Sequence, residues 1–129
     1  MTYVIDTHAF VWFLERNSRL SKIARDALSD PNVQLVVPTI VLAEISFLYA
    51  RNRITTALCE VLDHIANAEN CIVYPLDESV VEYLPAILNI HDGIIVATAI
   101  MLRDELGEDI ALVTKDAEIK ESGLVEIIW

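Results

Sequence analysis

Glycine and proline are scarce in this chain, at three and four of 129 residues. With so few breakers there is no Gly/Ser linker, no low-complexity segment and no internal repeat, so a single domain, residues 1–129, is expected. Cysteine is scarcer still. Cys59 and Cys71 stand apart without C-x-x-C spacing, too few for a disulfide framework, and both read as reduced core residues. Long apolar runs are missing as well: Ile94 to Leu102 is the longest, about half of what a membrane span requires. No basic region followed by an apolar block and a small-residue cleavage site marks the N-terminus for export. These absences predict a soluble, cytoplasmic protein that does not associate with membranes.

Positive charge is also in short supply. Nine Lys and Arg against 20 Asp and Glu leave a net charge of −11, which counts against ordinary nucleic-acid binding, since clustered cations drive that process. An acidic chain still reaches phosphates if divalent cations stand between its carboxylates and the substrate, or if its few bases gather beside the site. The alternative is a basic protein partner.

What the chain has in abundance is apolar surface, 54% of its residues, enough for one sizeable core. β-branched runs at Tyr3 to Ile5, Val33 to Val37, Cys71 to Tyr74, Ile110 to Val113 and Val125 to Ile128 have the length of strands and are mostly apolar on both faces. Between them, Leu20 to Leu28, Thr39 to Tyr49 and Ile54 to Ala66 follow helical spacing, the last two as a hairpin through Arg51-Asn52-Arg53. Val80 to Leu88 is helical but interrupted by Pro85, and Asp92 to Leu106 is apolar on nearly every face, as a buried helix is. Strands buried on both faces and alternating with helices predict a three-layer α/β/α sandwich around a parallel sheet of about five strands.

Four carboxylates fall where such a fold places its ligands. Asp6 follows the first strand and Asp116 follows the fourth; if strand one is central, with two and three on one side and four on the other, the two acids meet where the strand order reverses. Glu44 lies in the second turn of the helix after strand two, surrounded in sequence by apolar residues, and Asp92 opens the buried helix. Bland readings exist: Asp92 and Asp116 would each serve as a helix N-cap, worth about 1 kcal/mol. Asp6 resists that reading, because a buried ionised carboxylate is costly unless paired or bound to a metal. Two unit charges about 5 Å apart repel by roughly 3 kcal/mol at an effective dielectric of about 20, so four gathered acids call for a counter-ion. Oxygen donors without thiolates suit Mg²⁺ or Mn²⁺, and such ions activate water against a phosphodiester.

At these positions the sequence resembles the PIN-domain ribonucleases, and among them the VapC-type toxins of VapBC toxin–antitoxin pairs. "YVIDTHAFVW", "VLAEI", "IHDGIIVATAI" and "LVTKD" resemble the family's four motifs, in order and over almost the whole chain. The resemblance implies Asp6, Glu44, Asp92 and Asp116 as a catalytic, metal-binding quartet, with Thr7 and Thr114 as supporting hydroxyls. It also implies a cognate antitoxin whose C-terminal segment blocks the site, and RNA, in particular a single-stranded loop of a structured RNA such as tRNA, as substrate. One departure is Gly93, where many relatives carry a basic residue.

Among the bases, Lys115, Arg51 and Arg53 are the candidates for phosphate contacts. His8 and His91 read as partners in short-range hydrogen bonds, and Trp12 as core or a partner contact rather than a platform for RNA bases. More apolar surface than one small core hides favours a homodimer and an antitoxin groove, the latter on the helical hairpin. The competing class is a non-catalytic acidic module that captures a basic segment of a protein partner. An aspartyl-phosphate enzyme fits less well, since the second Asp it needs two residues after the first is His8 here.

Overall fold

Each β-branched run becomes a strand: β1 (Thr2–Ile5), β2 (Gln34–Pro38), β3 (Cys71–Tyr74), β4 (Ile110–Val113) and β5 (Ile127–Ile128). In the computed structural model, which describes Met1 to Trp129, they pair in parallel in the order β3-β2-β1-β4-β5. The expected sandwich and its central first strand are therefore present. Seven helices connect and cover the strands: α1 (Thr7–Leu14), α2 (Lys22–Ser29), α3 (Thr39–Ala50), α4 (Leu58–Asn67), α5 (Glu78–Glu82), α6 (Ile90–Leu106) and α7 (Ala117–Ser122). None is long and apolar enough to cross a membrane.

Burial follows the apolar pattern. Val4 and Ile5 of β1 and Ala111, Leu112 and Val113 of β4 are fully enclosed, each larger side chain contributing about 1.5–3 kcal/mol by leaving water. α6 packs against both of these strands, and its residues from Gly93 to Leu102 are buried without interruption. That explains its lack of a polar face. By contrast α3, equally apolar in sequence, buries only Val41 and Ile45 and leaves Phe47 and Tyr49 exposed.

Several boundaries move for identifiable reasons. The hairpin turn does fall at Arg51 to Arg53, with Asn52 in the left-handed region at φ 56°, but α4 starts at Leu58 rather than Ile54. The intervening Thr55 and Thr56 are drawn out of helical geometry toward Glu15, whose Oε2 accepts from the hydroxyls of both at 2.8 and 2.9 Å. α5 ends at Glu82, well before Leu88, as Pro85 requires. β5 keeps only two of its four expected residues. Cys71 is buried, whereas Cys59 is exposed near the start of α4 and is not a core residue.

Gly93 lies in the first turns of α6, where a Cβ would meet Leu84 Cδ2 at 3.5 Å and the Pro85 carbonyl oxygen at 3.7 Å, ordinary contacts. Its helical backbone needs no glycine. Gly93→Ala is expected to stabilise the fold by about 0.5–1 kcal/mol, by removing unfolded-state freedom. Thermal denaturation checks this: a rise in Tm of a few degrees is the expected result, and a fall would mean that the Leu84–Pro85 segment and α6 tolerate no added methyl between them.

Candidate active site

The pairing of β1 with β4 aligns Ile5 with Val113, so the next residues of each chain segment, Asp6 and Thr114, emerge side by side at the carboxyl edge. The Asp6 amide donates to the Val113 carbonyl at 3.2 Å, extending the ladder by one rung. At that point the backbone of Asp6 leaves the strand and begins α1 as its N-cap, Oδ1 accepting from the Ala9 amide at 2.9 Å. Oδ2 accepts a short hydrogen bond from the Thr114 hydroxyl. Thr114 is itself buried, and its oxygen accepts from the Asp116 amide at 3.1 Å. Two of the first three positions after β4, Thr114 and Asp116, are thus tied to the acid after β1.

Asp116 caps α7, its Oδ1 accepting from the Ile119 amide at 3.0 Å. Its second oxygen has no protein partner among the hydrogen bonds of the fold. Asp6 and Asp116 face one recess of about 410 Å³, with His8, Trp12 and Lys115 completing its wall. Glu44 belongs to an adjoining arrangement. The buried Thr7 hydroxyl donates to its Oε1 at 3.0 Å, and His91 Nδ1 stands 3.9 Å from its Oε2. Glu44 keeps about a quarter of its side chain exposed, 26%, so it is less enclosed than its apolar neighbours in sequence suggest.

Asp92 is not the N-cap of the buried helix. α6 begins two residues earlier under Asn89, whose Oδ1 accepts from the Asp92 amide at 3.0 Å while its Nδ2 donates to Asp92 Oδ2 at 2.6 Å. This reciprocal pair resembles a capping box, and the N-x-x-D spacing was its available sequence signal. Asp92 and Glu44 are linked through His91, the neighbour of one in sequence and of the other in space. All four acids therefore lie at the carboxyl end of the sheet, in three groupings: Asp6 with Asp116, Glu44 with Thr7 and His91, and Asp92 with Asn89. No three His, Cys, Asp or Glu side chains are drawn into a single cage. Of the candidate phosphate contacts, Lys115 joins the Asp6 recess, Arg53 lines a second one that shares His8 and Trp12 with it, and Arg51 stacks on Phe47 at 3.7 Å from the ring centre. Trp12 is half-buried and packs against the edge of the core.

Asp6 carries the electrostatic signature of the site. Burial raises its pKa from 3.8 to about 6, against the opposing pull of the Thr114 and Ala9 hydrogen bonds and of His8, with Asp116 adding to the rise. Although part of the residue reaches the surface, its carboxyl is surrounded by protein. Near neutral pH this group is an incompletely compensated anion, and the free oxygens beside it are all hard donors; that set fits a divalent cation such as Mg²⁺ or Mn²⁺.

The profile of the PIN domain family matches residues 3–123. No curated protein matches the sequence. Two solved structures share the fold over nearly the full length: VapBC2 from Rickettsia felis bound to a DNA fragment from their promoter, and VapBC-1 from nontypeable Haemophilus influenzae. The first gives a TM-score of 0.67 at 16% identity, covering 98% of this chain and 97% of the other. The second gives 0.64 at 17% identity, with 98% and 96% covered.

A carboxyl whose pKa is raised on folding binds its proton more tightly in the folded state, so its contribution is most favourable below the unfolded pKa and declines as pH rises toward about 6. The penalty above that range is on the order of 3 kcal/mol. Asp6→Asn, which can still cap α1, is expected to melt higher than the parent at pH 7 without metal and to lose the downward slope of stability between pH 4 and 6. Equal melting temperatures at pH 7 would show the carboxylate already compensated by its neighbours.

Proposed function

Because the chain belongs to the PIN domain family, we propose that it is a metal-dependent endoribonuclease acting as the toxin of a toxin–antitoxin pair. The observation that carries this reading is the enclosed Asp6 carboxylate facing Asp116 at the point where the strand order reverses, a place where α/β sheets bind their ligands. Charge held there at a cost on the order of 3 kcal/mol is poorly explained by capping alone, which Asn would supply as well. Asp6, Asp116, Glu44 and Asp92 are the residues that would hold Mg²⁺ or Mn²⁺. The ion's chemistry is to acidify a water and to neutralise charge on the phosphoryl oxygens.

The chain's own groups fix the geometry. Thr114 holds the Asp6 carboxyl, and Thr7 and Asn89 hold Glu44 and Asp92, so three acids are oriented by neutral donors. Neutral donors orient a carboxylate without cancelling its charge. Lys115, at the rim, is placed to meet a phosphate, and Arg53 and Arg51 are the other candidates for backbone contacts. The proposed partners are RNA, with a single-stranded loop of a structured RNA such as tRNA as the preferred target, a cognate antitoxin and a second copy of the chain. Exposed Phe47 and Tyr49 on α3 and Leu62 on α4 make the helical hairpin the proposed antitoxin contact. A cytoplasmic location is part of the same reading.

The net charge of −11 favours one rival, an acidic module that only captures a basic segment of a partner. Cleavage separates the two. Purified protein is expected to cut RNA with Mg²⁺ or Mn²⁺ and to stop in EDTA. Asp92→Asn should lower the rate by at least about 100-fold, as loss of a group acting on the transition state does. Because Asn89 rather than Asp92 caps α6, the same variant should keep its metal-free Tm. RNA cleavage that persists in EDTA, or survives Asp92→Asn unchanged, would falsify the nuclease reading.

A further inference from the structure

Trp12 lines three recesses in succession. One is the acidic recess of Asp6 and Asp116; the second, also about 410 Å³, shares His8 with it and carries Arg19 and Arg53; the third and largest, about 670 Å³, carries Arg16, Arg25 and His64. The indole is braced on several sides. Its ring centre lies 5.9 Å from that of Trp129 and 5.7 Å from that of His8, and Lys115 Nζ is 6.0 Å away.

The distribution of positive charge follows the same line. Of the nine Lys and Arg, only Lys22 and Arg103 pair with carboxylates, Asp26 and Asp104. Five of the other seven, Arg16, Arg19, Arg25, Arg53 and Lys115, line these three recesses. Glu15 also borders the second recess, but its Oε2 is occupied by Thr55 and Thr56. Arg25 is pinned in place by donating to the Leu20 carbonyl at 3.2 Å, not to an acid. In a chain of net charge −11, most of the uncompensated cations thus flank one braced aromatic ring that leads away from the acid pair.

We infer that these recesses form a track for single-stranded RNA, with a base stacked on Trp12 next to the acidic recess and the flanking phosphates held by Arg19, Arg53, Arg16 and Arg25. The inference rests on the nuclease reading for the orientation of the strand, not for the existence of the track. A single strand is the fitting occupant because its bases are free to stack, whereas a duplex hides them and offers chiefly its backbone. The track also accounts for how a strongly acidic protein approaches a polyanion: its bases are concentrated rather than numerous.

The test is binding of a fluorescein-labelled single-stranded oligonucleotide to the full chain in EDTA, together with cleavage assays in Mn²⁺. Trp12→Leu is expected to weaken binding about tenfold or more, while Trp12→Phe, which keeps a stacking face, stays within about threefold. The double variant Arg19→Ala/Arg53→Ala should reduce the slope of log affinity against log salt by about 1 to 1.5. It alters two exposed side chains and decides the matter even if the Trp12 variants melt early. Unchanged affinity and salt slope in the arginine variant, with that variant still cleaving RNA at the parent's KM, overturns the track and leaves the nuclease intact. Binding that depends on Trp12 and the arginines, in a protein that cuts no RNA, keeps the track and removes the nuclease. If the substitutions spare RNA but abolish a complex with a co-purifying protein, the recesses are a protein interface and the inference fails.

Discussion

The alignment of Ile5 with Val113 is the join on which the arrangement of the acids depends. Parallel strands in register end at the same level, so whatever follows β1 meets whatever follows β4. Here Asp6 meets Thr114, and the hydroxyl that fixes the carboxyl also accepts from the amide of Asp116. Both acids then become helix caps, so the carboxyl end of the sheet is stitched by side chains rather than by an additional strand. A slip of one residue in either strand would turn its alternate side chains to the wrong face and part this pair.

Two opposing energies meet at Asp6. The capping bond from Ala9 and the hydroxyl of Thr114 favour the carboxylate, whereas burial opposes it and wins: with the pKa displaced to about 6, holding the charge at neutral pH costs on the order of 3 kcal/mol net. The balance is unfavourable, and it is sustained by the fully enclosed strands beneath, in which Val4, Ile5, Leu112 and Val113 are 0% exposed. The core thus bears a local instability that a neutral residue would remove. This is the usual relation between a preorganised site and its scaffold.

Much of the fold was legible because its signals are local and redundant. Each β-branched run became a strand, and β1 holds the central position that was the condition for Asp6 and Asp116 to meet. What escaped depended on contacts between distant segments. Nothing near Thr55 announces that Glu15, forty residues earlier, will delay the start of α4. Sequence periodicity likewise marks α3 as apolar but cannot say how much of it a sheet will cover. At the site, the meeting of Asp6 with Asp116 follows from the strand order, whereas the grouping of Glu44 with Thr7 and His91 depends on contacts between distant segments that no local pattern announces. Asn89, unlike Thr7 and Thr114, was not singled out, although its place three residues before Asp92 is a capping signal.

Net charge is a poor guide here because it sums over a surface that is not uniform. At 0.15 M ionic strength the Debye length is about 8 Å, so acids elsewhere on the surface are largely hidden from a ligand in the recesses. Within that distance the ligand meets chiefly what lines the walls, and around Trp12 those walls hold five cations without carboxylate partners. The anions among them are Asp6 and Asp116 at one end and Glu15 in the middle recess, whose Oε2 is held by Thr55 and Thr56. Local charge therefore runs from basic to acidic over a short path, repelling a polyanion at one end and attracting it along the rest. A cation at the acidic end would remove the repulsion where it is strongest, so metal binding and substrate binding would be coupled through charge alone, without any change of shape.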